Sequence, residues 1–350
     1  MSAERPGGDV LNVWQGDELT TRGDGATGEA DPRLLVADSW LVDDGSTLAL
    51  DVHRDRFAGS VAEVAGGPDA DEVSAFWTAA VAVLPRSGAW FPRAELVAGD
   101  GTDADGRARL RLRLRPAPPR RRSAVLATAD RAPRTQPTVK GPDLAAPGSP
   151  GAAARSRGAD EAVLLSPEGH VVEGAGGSIV GWRGAALCLP ADALPRLPGV
   201  TVRSLTTLAA VLGVDVLHDH TRPDELDGFE VWSLSALHGI RIVTGWVDGP
   251  APAEEPGRLA LWRGRLDRLR RPIAARPPPA DGSPTTGARP PRRRRAGRRR
   301  RRGSRRPRRR GRPRPRGAGP PRCARDASPA RPAPRRARSR RPSSRRRGPS

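Results

Sequence analysis

Lysine is almost absent from this chain. Of its 61 Lys and Arg residues only one, Lys140, is a lysine; tyrosine is missing, and there are two cysteines and one methionine in 350 residues. Each scarcity excludes something. Cys188 and Cys323 stand far apart, which gives neither a disulfide framework nor a metal-ligand cluster. His218, His220 and His238 have no spacing that suggests a metal site, so no metal is expected. No apolar run approaches the ~20 residues that span a bilayer. Met1–Asn12 shows no basic segment followed by an apolar stretch. These absences lead to the expectation of a soluble, cytoplasmic protein without membrane attachment.

The missing lysines are informative in a second way. Ala, Gly, Pro and Arg are abundant, a bias that matches GC-rich coding DNA, in which Arg replaces Lys wherever only positive charge is needed. Guanidinium stays protonated, so Arg cannot replace Lys where a free amine is required. Imine chemistry with a carbonyl requires one. Lys140 is therefore either a surviving surface residue or a reactive amine.

The formal charge of +22 invites a nucleic-acid reading, but it is not evenly spread. Residues 1–276 hold 32 basic and 37 acidic side chains; residues 277–350 hold 29 Arg against 2 Asp. A mildly acidic globular part thus carries a strongly basic tail, and a mean isoelectric point describes neither. From Pro277 onward there is no Leu, Ile, Val, Phe, Trp or Met. Such a segment has nothing to bury against chain entropy and is predicted to be disordered. It can neutralise phosphates, and a nucleic acid is a partner only through this tail. It lacks the aromatics that stack on bases. Translation of GC-rich DNA out of frame would yield the same composition.

The patterning predicts a mixed α/β (α+β) chain of two domains. Residues 8–128 read as a small N-terminal α/β domain, 129–137 as a linker, 138–276 as a larger domain and 277–350 as the tail. In the first, Ala37–Val42 is strand-like and Leu48–Val52 is a second short apolar stretch. Asp71–Leu84 has helical spacing through Val73, Phe76, Trp77, Ala80 and Val81. Arg107–Arg115 alternates Arg with Ala or Leu, the signature of a strand whose Arg face is solvated. In the second, strands are predicted at Glu161–Leu165, His170–Glu173, Ser178–Trp182, Val214–Leu217 and Glu230–Val243. Helices are predicted through Ser204–Leu212 and Arg258–Arg270. Cys188 reads as a small core residue on a strand, and His238 as a structural histidine.

Several blocks, in order, resemble the class IV aminotransferase family. These are Val139-Lys140-Gly141, Gly158-Ala159-Asp160-Glu161-Ala162-Val163-Leu164-Leu165, Val172-Glu173-Gly174, Leu197-Pro198-Gly199-Val200-Thr201 and Glu230–Ile240, with His53-Arg54-Asp55-Arg56-Phe57 upstream. The family includes branched-chain and D-amino-acid aminotransferases and 4-amino-4-deoxychorismate lyase. The resemblance implies a two-domain fold, a homodimer, and pyridoxal 5'-phosphate (PLP) held between the domains, with an amino acid and a 2-oxo acid as substrates. It implies that Lys140 carries the cofactor and that Glu173 pairs with its pyridine nitrogen, keeping the ring an electron sink. It implies phosphate contacts from Arg56, Val200, Thr201, Ser235 and Ala236, the helix start at Val200 and Thr201 being suited to an anion. Arg93 and Ala236 match positions for the substrate carboxylate. The alternatives are the lyase reaction and a non-catalytic protein of the same fold with a nucleic-acid-binding tail. The sequence departs from the family at four places. Asp143, Leu144 and Ala145 stand where a Tyr is usual. The segment 145–157, helical in the family, contains Pro147 and Pro150. Val202 replaces the arginine of the "LPGxTR" block, and Ser178 an asparagine.

Truncation after Arg276 should leave the melting temperature and cofactor binding unchanged. A large drop in melting temperature by calorimetry would show that the tail packs.

Overall fold

The structure, a computed structural model, describes residues 9–22, 32–99, 106–130, 134–141 and 149–274. The readings made for the basic tail and for Asp143, Leu144 and Ala145 lie outside the described residues. Within them, helices and strands are mixed as expected, and two main sheets carry the chain.

The first sheet has five antiparallel strands in the order Leu19–Arg22, Val10–Trp14, Arg109–Leu114, Arg93–Val97, Leu34–Ser39. Helices α1 (Leu50–Ala62) and α2 (Ala70–Ala82) cover one face. The alternation in Arg109–Leu114 explains why: Leu110 and Leu112 turn to the helices and pack with Trp14, Val36, Phe57 and Phe76. The Trp40 and Trp77 rings stand 4.9 Å apart in this core. Asp69 caps α2, its carboxylate accepting the Glu72 N–H at 2.8 Å.

The arginine stripe departs from the expected solvated face. Arg111 is buried, and its Nε donates to Glu95, whose carboxylate is fully buried and also binds Arg93 and Arg113. The register makes this possible, since Glu95 lies directly opposite Arg111 on the adjacent strand. Two oxygens in that position can serve several guanidinium groups at once.

The second sheet has eight strands in the order Val171–Gly174, Glu161–Leu165, Ser123–Thr128, Gly239–Val247, Glu230–Ser235, Ser178–Arg183, Ala186–Pro190, Val216–Asp219. Ser123–Thr128, placed by the sequence reading at the end of the first unit, pairs in parallel with strands on both sides here. Its run of small apolar residues suits a strand covered on both faces. Helix α3 (Pro150–Ser156) begins at the second proline of the broken segment, where a missing N–H costs nothing. Helices α4 (Val200–Val211) and α5 (Arg258–Asp267) pack on a core built around Trp182, Trp232 and Trp262. Cys188 lies on a strand as expected but is partly exposed rather than core. Leu48–Val52 resolves into the entry to α1. Among the described residues no helix is long and apolar enough to cross a membrane.

Trp232 is fully buried and packs against both of the other indoles. Trp232→Ala should cost ~3–5 kcal/mol of unfolding free energy, read as a lower denaturant midpoint.

Candidate active site

Lys140 is placed by its main chain. Its carbonyl accepts the Ala37 N–H at 2.6 Å, so the segment lies along the open edge of the strand Leu34–Ser39. The next residue has to be glycine. Gly141 has φ 147°, and a Cβ there would meet Val36 Cα at 2.9 Å. This close approach sends the lysine side chain into a cleft between the two sheets, lined by Arg56, Lys140, Glu173, Val200, Thr201, Ser235 and Ala236 together. These are the cofactor-site residues that the resemblance implied. The cleft contains about 490 Å³ of empty space, part of it open to solvent.

Among the described residues the Lys140 amine has no ion-pair partner. Burial, and then the nearby Arg56, lower its pKa from 10.5 to about 8, with Arg134 and Arg93 adding to the effect and Asp38 opposing it. The free amine is thus far more available than that of a surface lysine.

Glu173 ends the strand Val171–Gly174 and is buried. Desolvation raises its pKa, against the opposing charge of Arg134. Arg134 Nε stands 3.4 Å from Glu173 Oε1, and Arg134 Nη2 donates to the Ala175 carbonyl. The Leu197 N–H donates to Glu173 Oε2 at 3.4 Å. The turn after Glu173 is pressed against the strand carrying Ser235, where a Cβ on Gly177 would fall 2.2 Å from the Leu234 carbonyl oxygen. Glu161, buried beneath that turn, accepts the Gly176 N–H at 2.8 Å and pairs with Arg241 at 3.2 Å.

The phosphate-side residues come from two directions. α4 starts at Val200 behind Gly199, and no side chain caps it. The positive end of the helix therefore faces the cleft with its donors unspent on side chains. Gly199 packs closely there: a Cβ would stand 2.7 Å from Ser178 Oγ, so that hydroxyl would have to turn away. Arg56 projects from α1 and donates through Nη1 to the Pro198 carbonyl at 3.2 Å. Ser235 Oγ accepts the His238 N–H at 3.2 Å, which shapes the turn holding Ala236.

Arg93 is not among the cleft-lining residues; its guanidinium is bound to Glu95, close enough for its charge to act on Lys140. His238 accepts the Arg121 N–H at 3.2 Å and is kept neutral by burial and surrounding arginines, with a pKa of about 4. Three residues were missed. His53 and Arg134 line the cleft, and Asp38 lies fully buried behind it. Arg134 lies in the Pro/Arg-rich linker, where nothing marks one arginine from the next. The spacing of His53 and Arg56, one helical turn apart, was a usable signal. Among the described residues no cluster could hold a metal ion.

A desolvated amine, a buried carboxylate, and an arginine beside an uncapped helix start together define a site for a carbonyl compound bearing an anionic group. The family profile "Amino-transferase class IV" matches residues 35–246. The chain belongs to the class IV aminotransferase family. No curated protein matches its sequence. Among solved structures it resembles the T.th. branched-chain amino acid aminotransferase complexed with N-(5'-phosphopyridoxyl)-L-glutamate, at 19% identity and TM-score 0.61, covering 75% of this chain and 94% of that one. The branched-chain enzyme of Escherichia coli gives 17%, 0.58, 75% and 92% in the same terms. A hypothetical aminotransferase from Mycobacterium tuberculosis, in its PLP-bound form, gives 18%, 0.59, 75% and 98%. At these identities the likeness is one of fold.

Because burial holds Lys140 at about pKa 8, its amine is mostly free above that pH and protonated below it. The rate of carbonyl capture should therefore rise with pH and level off above about 8, not above 10.5. Stopped-flow absorbance with a simple aldehyde measures it; a rate still climbing at pH 10 would contradict the burial argument.

Proposed function

We propose that the protein is a PLP-dependent aminotransferase exchanging an amino group between an amino acid and a 2-oxo acid. One observation carries the reading. The only lysine of the chain shares a cleft with Glu173, Arg56 and the uncapped start of α4. The residues fit the cofactor. Lys140 offers an amine for its aldehyde, Glu173 a carboxylate for its ring nitrogen, and Arg56 with Val200, Thr201, Ser235 and Ala236 a cationic cradle for its phosphate. When bound, PLP supplies an aldehyde and an electron-withdrawing ring.

The chain's own residues then have distinct tasks. Lys140 Nζ would hold the cofactor through its aldehyde and, as a free amine, would carry the proton released from the substrate Cα. Glu173 would offer its carboxylate to the ring nitrogen, while Arg134 stabilises that carboxylate's charge. Arg93 and Ala236 are the residues proposed for the substrate carboxylate. The family resemblance supports a homodimer, and a cytoplasmic location goes with it.

Two tests bear on this. Borohydride should fix PLP covalently on the wild type and not on Lys140→Arg, which keeps the charge and loses the nucleophilic amine; trapping on the variant, seen by peptide mass, would remove Lys140 from its role. A donor amino acid added without acceptor should convert the visible-absorbing PLP form to the pyridoxamine form. Release of pyruvate and p-aminobenzoate from aminodeoxychorismate, with no conversion by any donor, would make the protein the lyase instead.

A further inference from the structure

The two groups that α1 presents to the cleft are tied together by a carboxylate outside it. Asp38, on the strand Leu34–Ser39, is fully buried. Its Oδ2 accepts Arg56 Nε at 2.7 Å, and its Oδ1 accepts Arg56 Nη2 at 3.0 Å. The same Oδ1 lies 2.7 Å from His53 Nδ1. One carboxylate therefore fixes both the fork of the arginine and the plane of the imidazole. The Arg56 side chain is only 9% exposed. A guanidinium has five N–H donors. Among the described residues Arg56 uses three, two on Asp38 and one on Pro198. One N–H is left on each terminal nitrogen to donate to an anion.

We propose that Asp38 is a positioning residue for the phosphate end of the cofactor, aiming the two remaining Arg56 N–H groups at an anion beside the start of α4. The inference rests on the PLP reading of the cleft. Asp38 touches neither the cofactor nor substrate; it acts through Arg56. Its charge matters as well as its shape, because an amide in its place would turn an N–H toward the guanidinium or His53 and would lose the charge-assisted bonds. The residues facing Asp38 are His53 and Arg56 from α1, with Lys140 close by. A change in Lys140 would alter capture of any aldehyde, phosphorylated or not, whereas misaimed Arg56 would alter only the phosphorylated one.

The test compares the affinities of the full-length protein for PLP and for pyridoxal, its dephosphorylated counterpart, by visible absorbance titration. Asp38→Asn should lower the ratio of PLP to pyridoxal affinity by roughly tenfold or more, the scale of a charge-assisted bond. The same substitution in an Arg56→Gln background should change the ratio by less than about twofold, since there is no fork left to aim. An unchanged ratio in Asp38→Asn overturns the proposal, as does an equal fall in both affinities with a lower melting temperature, which is a scaffold effect. If Asp38→Asn does not fold, Asp38→Glu, which moves the carboxylate by one methylene, should still lower the ratio, and an unchanged ratio there overturns it. A wild type that captures neither aldehyde overturns the PLP reading itself, whereas capture of both with an unaltered variant ratio overturns only the role of Asp38.

Discussion

The main-chain bond from the Ala37 N–H to the Lys140 carbonyl fixes the geometry on which the cleft depends. It adds one hydrogen-bonded contact at the edge of the five-stranded sheet and holds the main chain of the lysine beside the cleft. Gly141, pressed on Val36, lets the chain come that close. Desolvation of the amine follows from this placement, and the lowered proton affinity follows from desolvation. In the PLP reading, the amine is thus activated by its place at a strand edge rather than by a dedicated base.

The charges around that amine come from separate elements. Arg56 arrives on α1 and is held by Asp38; Arg134 arrives from the chain before Lys140 and is held by Glu173; Arg93 lies on the first sheet and is held by Glu95. Each of these arginines has a carboxylate, and among the described residues Lys140 has none. A buried guanidinium without a partner would cost several kcal/mol, so the pairs allow cations to crowd a buried amine and keep its proton affinity low. Glu173 is the exception in kind, a carboxylate that has to serve both an arginine and, in the PLP reading, the ring nitrogen.

Much of this was legible in the sequence. The helical spacing of Val73, Phe76, Trp77 and Ala80 gave α2, and the alternation at Arg109–Leu114 gave a strand with its leucines inward. The seven residues that the resemblance implied, and that share the cleft, were legible as ordered blocks, because a lysine, an acid and a glycine-led helix start are each local. What was not legible depends on strand register. Glu95 opposite Arg111 turns a stripe that reads as solvated into a buried ion cluster, and no local pattern announces a partner 16 residues away. Asp38 was hidden for the same reason, inside an apolar run with its partners on a helix that follows. Ser123–Thr128 reads equally well as the end of one unit or the middle of another until its neighbours are known.

The composition of the chain can be read again from the site. Substituting Arg for Lys is harmless on a surface, but in a buried cleft each arginine requires planar, bidentate support. Arg56 has it from both oxygens of Asp38, Arg93 turns Nε and Nη2 to one oxygen of Glu95, Arg134 binds a carboxylate and a carbonyl, and the acids involved are buried. Asp38 and Glu95 are buried as the partners of such arginines. Lys140 could not follow the same route, because a guanidinium in its place would stay protonated at any pH at which the fold survives. In the PLP reading, a single lysine among 61 basic residues is what remains when charge alone is needed everywhere except at one atom.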